Sequence, residues 1–190
     1  MDAVVTELAA SALAERRRLG LDRFDEVWDG VLHVVPAPMD EHSRLAADLH
    51  VLLHPLARAE GLACRFEFGL YRPLVPGHRD YRVPDLSVFR PEHGTSRGIE
   101  GRAELVVEIA SPGDESYAKV PFYGEVGVGE VVVIERDTKA VRRWARDDGD
   151  RFAETTPDPD GWHHLAAVPM SLCQRGDSLI ARTPDHDGPV

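Results

Sequence analysis

The chain has 190 residues, 43% of them hydrophobic and 29% charged, and a formal net charge of -11. This length fits one domain with a full core, and no stretch approaches the ~20 apolar residues of a membrane span. Because residues 1–20 lack an export signal and Cys64 and Cys173 stand alone, we expect a cytoplasmic protein without disulfides, zinc ribbon or membrane partner.

The first third of the chain predicts a helix, a hairpin and a second helix. Apolar residues at near-helical spacing within 4–13 indicate the first helix, with Gly20 as its C-cap. Residues 24–35 predict a hairpin that turns at Asp29 and Gly30. Asp40 then caps a helix that Pro55 should kink or close. The core stripe of this helix is Leu45, Leu49, Leu52, Leu53 and Leu56.

From residue 64 onward the pattern is mostly that of strands, at 64–68, 83–89, 105–109, 131–135 and 141–144. A short helix is predicted between the third and fourth of these, and one more strand within 162–168. We therefore expect an α/β (α+β) fold with a central mixed sheet flanked by helices. We place a single domain at residues 1–182, with its core at 24–145 and a frayed tail after Arg182.

Glu108 interrupts an otherwise apolar strand, Leu105-Val106-Val107-Glu108-Ile109. An ionised carboxylate in a buried strand costs several kcal/mol unless it is paired or bound to a metal. The alternatives are a structural salt bridge and a functional site, and buried acids of this kind cluster at sites.

Asp85 follows Pro84 at the opening of the preceding strand, where Asp is often simply turn chemistry. An Asp at the start of one strand and a Glu inside the next can bring two carboxylates onto neighbouring strands ~5 Å apart. With a backbone carbonyl such as that of Ile109, they form a hard-oxygen set suited to Mg²⁺ or Mn²⁺.

Three segments together resemble the Uma2-like restriction endonucleases of the PD-(D/E)xK nuclease superfamily. They are Val83-Pro84-Asp85-Leu86-Ser87, the run from Leu105 to Gly113, and Lys119 with Tyr123 and Gly127. With Asp29-Gly30 and the His42 helix, the similarity covers residues 24–144. The resemblance implies a restriction-endonuclease-like fold, a divalent metal and a DNA substrate, embraced by a homodimer.

The superfamily's usual lysine lies two residues after the acid, where this chain has Ala110. The resemblance implies a migrated lysine, Lys119, whose ammonium would orient the attacking water or stabilise charge on phosphorus. An exposed helix lysine is the alternative. Tyr123 lies one helical turn further on the same face, where packing under the site is favoured over catalysis.

Further residues are candidates for accessory roles. Glu41 and His42 open the second helix, so Glu41 is a possible third ligand, although an acid is also favoured there by the helix dipole. His50 and His54 have i,i+4 spacing but no third zinc ligand. The arginines predicted to contact phosphates are Arg72, Arg79 and Arg82.

The favoured function is metal-dependent endonucleolytic hydrolysis of a nucleic-acid phosphodiester, with DNA as the substrate and Asp85, Glu108 and Lys119 as the catalytic set. The acidic net charge is a handicap for phosphate binding. That charge and Ala110 favour a rival hypothesis, a nuclease-fold binding module without turnover. A small-phosphoester hydrolase is the third.

Overall fold

The computed structural model describes residues 3–4, 10–35, 39–73 and 80–190. The helices in these ranges are α1 (Ala10–Arg18), α2 (Asp40–Ala59) and α3 (Ser116–Glu125), with a 3₁₀ turn at Pro91–His93. The strands in chain order are β1 (Ala3–Val4), β2 (Glu26–Trp28), β3 (Val31–Val34), β4 (Ala63–Phe66), β5 (Leu70–Tyr71), β6 (Tyr81–Arg82), β7 (Leu86–Phe89), β8 (Ile99–Glu100), β9 (Leu105–Ala110), β10 (Glu130–Glu135), β11 (Val141–Arg146), β12 (Phe152–Thr155), β13 (His163–His164), β14 (Ser171–Arg175), β15 (Ser178–Arg182) and β16 (Asp187–Pro189).

The strands form three sheets, and the middle one carries the core. This central sheet has the order β12-β11-β10-β9-β7-β4, and only its β9–β10 pair is parallel. Parallel neighbours need a crossover connection, which α3 supplies. The N-terminal sheet has the order β1-β3-β2-β6-β5-β8, and the C-terminal sheet the order β13-β14-β15-β16. The predicted mixed α+β architecture is confirmed.

The two faces of β9 belong to two hydrophobic clusters. Leu105, Val107 and Ile109 pack with α2 and the C-terminal sheet, whereas Val106 and Ala110 pack with α3. Burial on both faces explains why the run is apolar throughout, apart from one acid. On α2, the predicted stripe is buried at Leu45, Leu49 and Leu53, and each such burial contributes ~1.5–3 kcal/mol.

The hairpin predicted at 24–35 is confirmed as the antiparallel pair of β2 and β3. Its turn residues, Asp29 and Gly30, both have positive φ (47° and 86°), the conformation that a two-residue turn of this kind requires.

Of the two alternatives predicted for Pro55, a kink or the end of the helix, the second is wrong, since α2 continues to Ala59. Proline leaves the carbonyl of residue 51 without its helical partner. Val51 is 69% exposed, so this carbonyl lies on the side of the helix that water reaches. No helix in the described ranges, including the 20-residue α2, has the length and apolarity needed to cross a membrane.

The expectation of a frayed tail after Arg182 is wrong, because Asp187–Pro189 form strand β16. Strand β16 pairs with β15, and the Val190 N–H donates to the Leu179 carbonyl at 3.0 Å. The sequence Asp187-Gly188-Pro189 has low strand propensity, but β16 is an edge strand, where proline is tolerated. Within the segment 162–168, only His163–His164 forms a strand.

Candidate active site

Strand register brings Asp85 and Glu108 together. In the antiparallel β7–β9 pair Leu86 lies opposite Val107, so one further step places Asp85 opposite Glu108. Asp85 Oδ2 accepts a hydrogen bond from the Ile109 N–H at 2.6 Å, which holds its carboxylate beside β9. Both acids line one cleft of about 350 Å³. The neighbouring-strand geometry expected from the sequence is present.

The Glu108 side chain is buried among polar groups of the site. The Tyr123 hydroxyl donates to its Oε1, and the Lys119 Nζ lies 3.3 Å from its Oε2. Burial, together with the charges of Asp85 and Glu26, raises the pKa of Glu108 to about 8, although Lys119 opposes this rise. Glu108 therefore binds a proton more readily than an exposed glutamate does, and positive charge nearby favours its ionised form.

Lys119 projects from α3 between two buried carboxylates. Its Nζ lies 2.9 Å from Glu26 Oε1 and 3.3 Å from Glu108 Oε2. Burial alone would lower the pKa of Lys119, but the charges of Glu108 and Glu26 raise it above its usual value. The lysine is thus a charged ammonium in contact with Glu108, and not the exposed helix lysine of the alternative interpretation.

Glu26 is a site residue that the sequence analysis missed. It is 1% exposed, and it accepts hydrogen bonds from Trp28 Nε1 at 2.6 Å and from the Val83 N–H at 2.8 Å, besides contacting Lys119. These contacts connect the N-terminal sheet to α3. The available signal was an acid inside a segment predicted to be a strand, the same signal that identified Glu108.

His42 contacts the other carboxylate of the site. Its Nε2 lies 3.2 Å from Asp85 Oδ1, and its buried Nδ1 has no partner among the described residues. Burial lowers the pKa of His42, but Asp85 raises it, with a net increase. Tyr123 is completely buried and contacts Glu108, as expected of a residue that packs under the site.

Glu41 does not reach the carboxylates. Its side chain is 73% exposed, and its ion-pair partner is Arg136, at 3.9 Å. The first turn of α2 directs His42 towards the cleft and Glu41 towards solvent. The accessory-ligand role expected of Glu41 therefore has no support in the geometry.

The predicted basic rim is not formed by Arg72 or Arg82, and neither lines the cleft. Both bind Asp80, Arg72 at 2.8 Å and Arg82 at 2.7 Å. Arg82 is buried, and its guanidinium stacks on the Trp28 and Phe122 rings. Both guanidinium groups thus form ion pairs with the buried Asp80. This geometry does not support the predicted phosphate contacts of Arg72 and Arg82. Arg79 lies outside the described residues.

The lining of the cleft is acidic. In the described part of the chain it contains six carboxylates but only two permanently charged cations, Lys119 and Arg136. The sequence analysis did not identify Arg136. The carboxylates are Glu26, Glu67, Asp85, Glu108, Asp114 and Glu115.

The site fits a divalent cation by its donor chemistry. No set of three or more His, Cys, Asp or Glu side chains within the described ranges is arranged to hold a metal ion. Mg²⁺, however, retains several waters and needs only one or two protein carboxylates. Asp85 and Glu108 supply two hard-oxygen groups whose mutual repulsion a cation would relieve. Ile109 lines the same cleft, and its carbonyl stays a predicted ligand.

Comparison with known proteins finds one family model and several solved structures that are similar to this chain. The family model Uma2, described as "Putative restriction endonuclease", matches residues 18–173. Among solved structures, the chain is similar to a protein from Anabaena variabilis ATCC 29413, described as a putative nuclease belonging to DUF820. The TM-score is 0.57 and the identity 16%, over 73% of this chain and 79% of the other. No curated protein matches. The structural likeness supports the fold alone.

Proposed function

The chain belongs to the Uma2 family of putative restriction endonucleases, and we propose that it is a metal-dependent endonuclease acting on DNA. The observation that carries this proposal is the convergence of three groups in one cleft. Asp85 lies opposite Glu108 on neighbouring strands, and the Lys119 ammonium lies 3.3 Å from the Glu108 carboxylate.

Asp85 and Glu108 would hold Mg²⁺ or Mn²⁺, with water in the remaining positions. When bound, such a cation polarises a phosphate and lowers the pKa of a coordinated water. Glu108 must lose its proton to act as a ligand, and its raised pKa makes this loss dependent on positive charge nearby. The Lys119 ammonium already lowers this pKa, and a bound cation would lower it further.

Hydrogen bonds orient the charged groups before substrate arrives. Tyr123 donates to Glu108, His42 contacts Asp85, and Glu26 holds the Lys119 amine. An ammonium fixed in this way needs little reorganisation to stabilise negative charge that develops on phosphorus. Lys119 therefore takes the role of the lysine missing at position 110.

We propose a cytoplasmic homodimer. Cys64 and Cys173 are buried free thiols, as suits a reducing compartment. Dimerisation would let a small domain contact both strands of a duplex.

Two other functions have specific support. The acidic lining of the cleft, and the hydrogen bonds already made by Asp85 and Glu108, favour a nuclease-fold binding module without turnover. The cleft volume of about 350 Å³ favours a small phosphoester as substrate.

Nicking of supercoiled plasmid in Mg²⁺ tests the proposal. We expect Asp85→Asn to lower the rate ~100-fold or more. Asp177→Asn, at an exposed turn between β14 and β15, should leave the rate unchanged. Plasmid binding without nicking would indicate the binding module, and hydrolysis of bis-p-nitrophenyl phosphate without nicking would indicate the small-phosphoester hydrolase. Equal nicking by wild type and Asp85→Asn would refute the site.

A further inference from the structure

Among the described residues that line the cleft, one arginine, Arg136, has donors without a partner in the described part of the chain. We propose that Arg136 binds a backbone phosphate of the nucleic-acid substrate beside the Asp85–Glu108 pair. This inference rests on the proposed nuclease function and gives the phosphate-contact role, expected of Arg72 and Arg82, to a different residue.

Arg136 is placed by the parallel strand pair. It directly follows β10, and its N–H donates to the carbonyl of Ala110, the last residue of β9, at 2.8 Å. Glu108 lies two residues before that end of β9. The guanidinium therefore emerges at the same end of the sheet as the carboxylates, and its side chain, 13% exposed, lines the cleft. Ligands of α/β sheets commonly bind at this end of parallel strands.

The contacts of Arg136 leave donors for a ligand. Its Nε donates to Asp137 at 2.7 Å and lies 3.9 Å from the exposed Glu41 carboxylate. Its Nη1 reaches two neutral acceptors among the described residues, Ser111 Oγ at 3.3 Å and Met39 Sδ at 3.7 Å. Nη2 donates no hydrogen bond to the residues that the structure describes. A planar guanidinium with free terminal donors matches the bidentate geometry of a phosphate.

Lys119, the other described cation of the cleft, is already paired within the protein. Its ammonium already contacts the two carboxylates of Glu26 and Glu108. Because the remaining lining is acidic, an approaching phosphodiester needs a local positive charge. Arg136 is the described cleft residue that can supply it.

Salt-dependent binding tests the assignment without turnover. The dissociation constant of a fluorescent 20-base-pair duplex is measured by anisotropy in EDTA, from 50 to 200 mM NaCl. Each phosphate contact adds close to one to the slope of log K against log salt. We expect Arg136→Gln to weaken binding ~10-fold at low salt and to reduce the slope by about 1, whereas Arg136→Lys should keep the slope.

Arg142→Gln is the matched control, because Arg142 is half exposed and its guanidinium binds Glu154 through two hydrogen bonds. This variant should bind as the wild type does. An unchanged slope in Arg136→Gln, or a wild type that binds no duplex, would overturn the proposal. If Arg136→Gln lowers the slope as expected but the wild type does not nick plasmid in Mg²⁺, the nuclease function is refuted while the phosphate contact stands.

Discussion

Two buried glutamates, at opposite ends of the parallel strand pair, differ in what surrounds them. Glu108 lies near the end of β9 and Glu130 at the start of β10, and each is 1% exposed. Glu108 stands inside a run of aliphatic residues and Glu130 directly before one, so each is an acid beside a buried apolar strand. Their environments differ, and this difference indicates a structural role for Glu130 and a chemical role for Glu108.

Glu130 is fully compensated by its neighbours. Its Oε1 accepts the N–H groups of Ala166 and Ala167 at 2.9 and 2.8 Å, and its Oε2 accepts Arg143 Nε at 2.8 Å. The first two of these bonds attach β10 to the loop between β13 and β14 of the C-terminal sheet. The charge of Glu130 thus stabilises the fold.

Glu108 faces like charges instead. The donors it has in the described ranges are the Tyr123 hydroxyl and the Lys119 ammonium, and Asp85 and Glu26 help to raise its pKa to about 8. Burial alone therefore does not identify a functional acid. The sign of the surrounding charge does.

Among the substitutions considered, we expect replacement of Glu130 to cause the largest loss of stability. Glu130→Gln leaves Arg143, whose side chain is 14% exposed, without its carboxylate, so we expect it to cost ~3 kcal/mol of unfolding free energy. Urea unfolding measures this loss. Glu154→Gln, which breaks the exposed pair with Arg142, should cost less than ~1 kcal/mol. Equal losses in the two variants would contradict the structural role of Glu130.

Glu26→Gln should have an intermediate effect, because Glu26 belongs to both scaffold and site. Lys119 loses its partner at 2.9 Å but retains Glu108 at 3.3 Å, so the buried ammonium is not stranded. We expect a loss of ~2 kcal/mol in urea unfolding, below the cost of breaking an isolated buried pair. A loss as small as that of Glu154→Gln would mean that Glu26 does not hold Lys119.

Among the three buried glutamates, Glu108→Gln should have the smallest effect on stability, within ~1 kcal/mol at pH 5 in EDTA, since Lys119 keeps Glu26. The effect should depend on pH. The folded pKa of Glu108, about 8, lies above its ordinary value of 4.5, so the folded state binds more protons between these values. The contribution of Glu108 to the unfolding free energy is therefore fully present below pH 4.5, and it is lost as the pH rises through about 8.

Gln does not titrate, so the variant should gain stability relative to wild type between pH 5 and pH 8. Thermal melts of both proteins at the two pH values measure this difference. A constant difference, or one that changes in the opposite direction, would show that like charges do not destabilise the ionised Glu108.

Much of this arrangement could be predicted from local patterns. The acid in an apolar run identified Glu108, and Pro84-Asp85 at the next strand's opening predicted its partner, since strand pairing repeats regularly. The Glu26–Lys119 ion pair could not be predicted, because it joins residues far apart in sequence through the packing of two sheets and a helix. The burial of Arg82 could not be predicted for a similar reason. Its burial depends on Asp80 together with the Trp28 and Phe122 rings.

Calorimetric titration of Mn²⁺ into wild type and Glu108→Gln at pH 7 tests the central claim most directly. The claim is that Asp85 and Glu108 form a cation site and not a structural ion pair. We expect one ion per wild-type chain, bound with release of a proton because Glu108 must ionise, and no binding by a Glu108→Gln protein that is equally folded. Equal Mn²⁺ binding by both proteins, or none by wild type, would contradict the account.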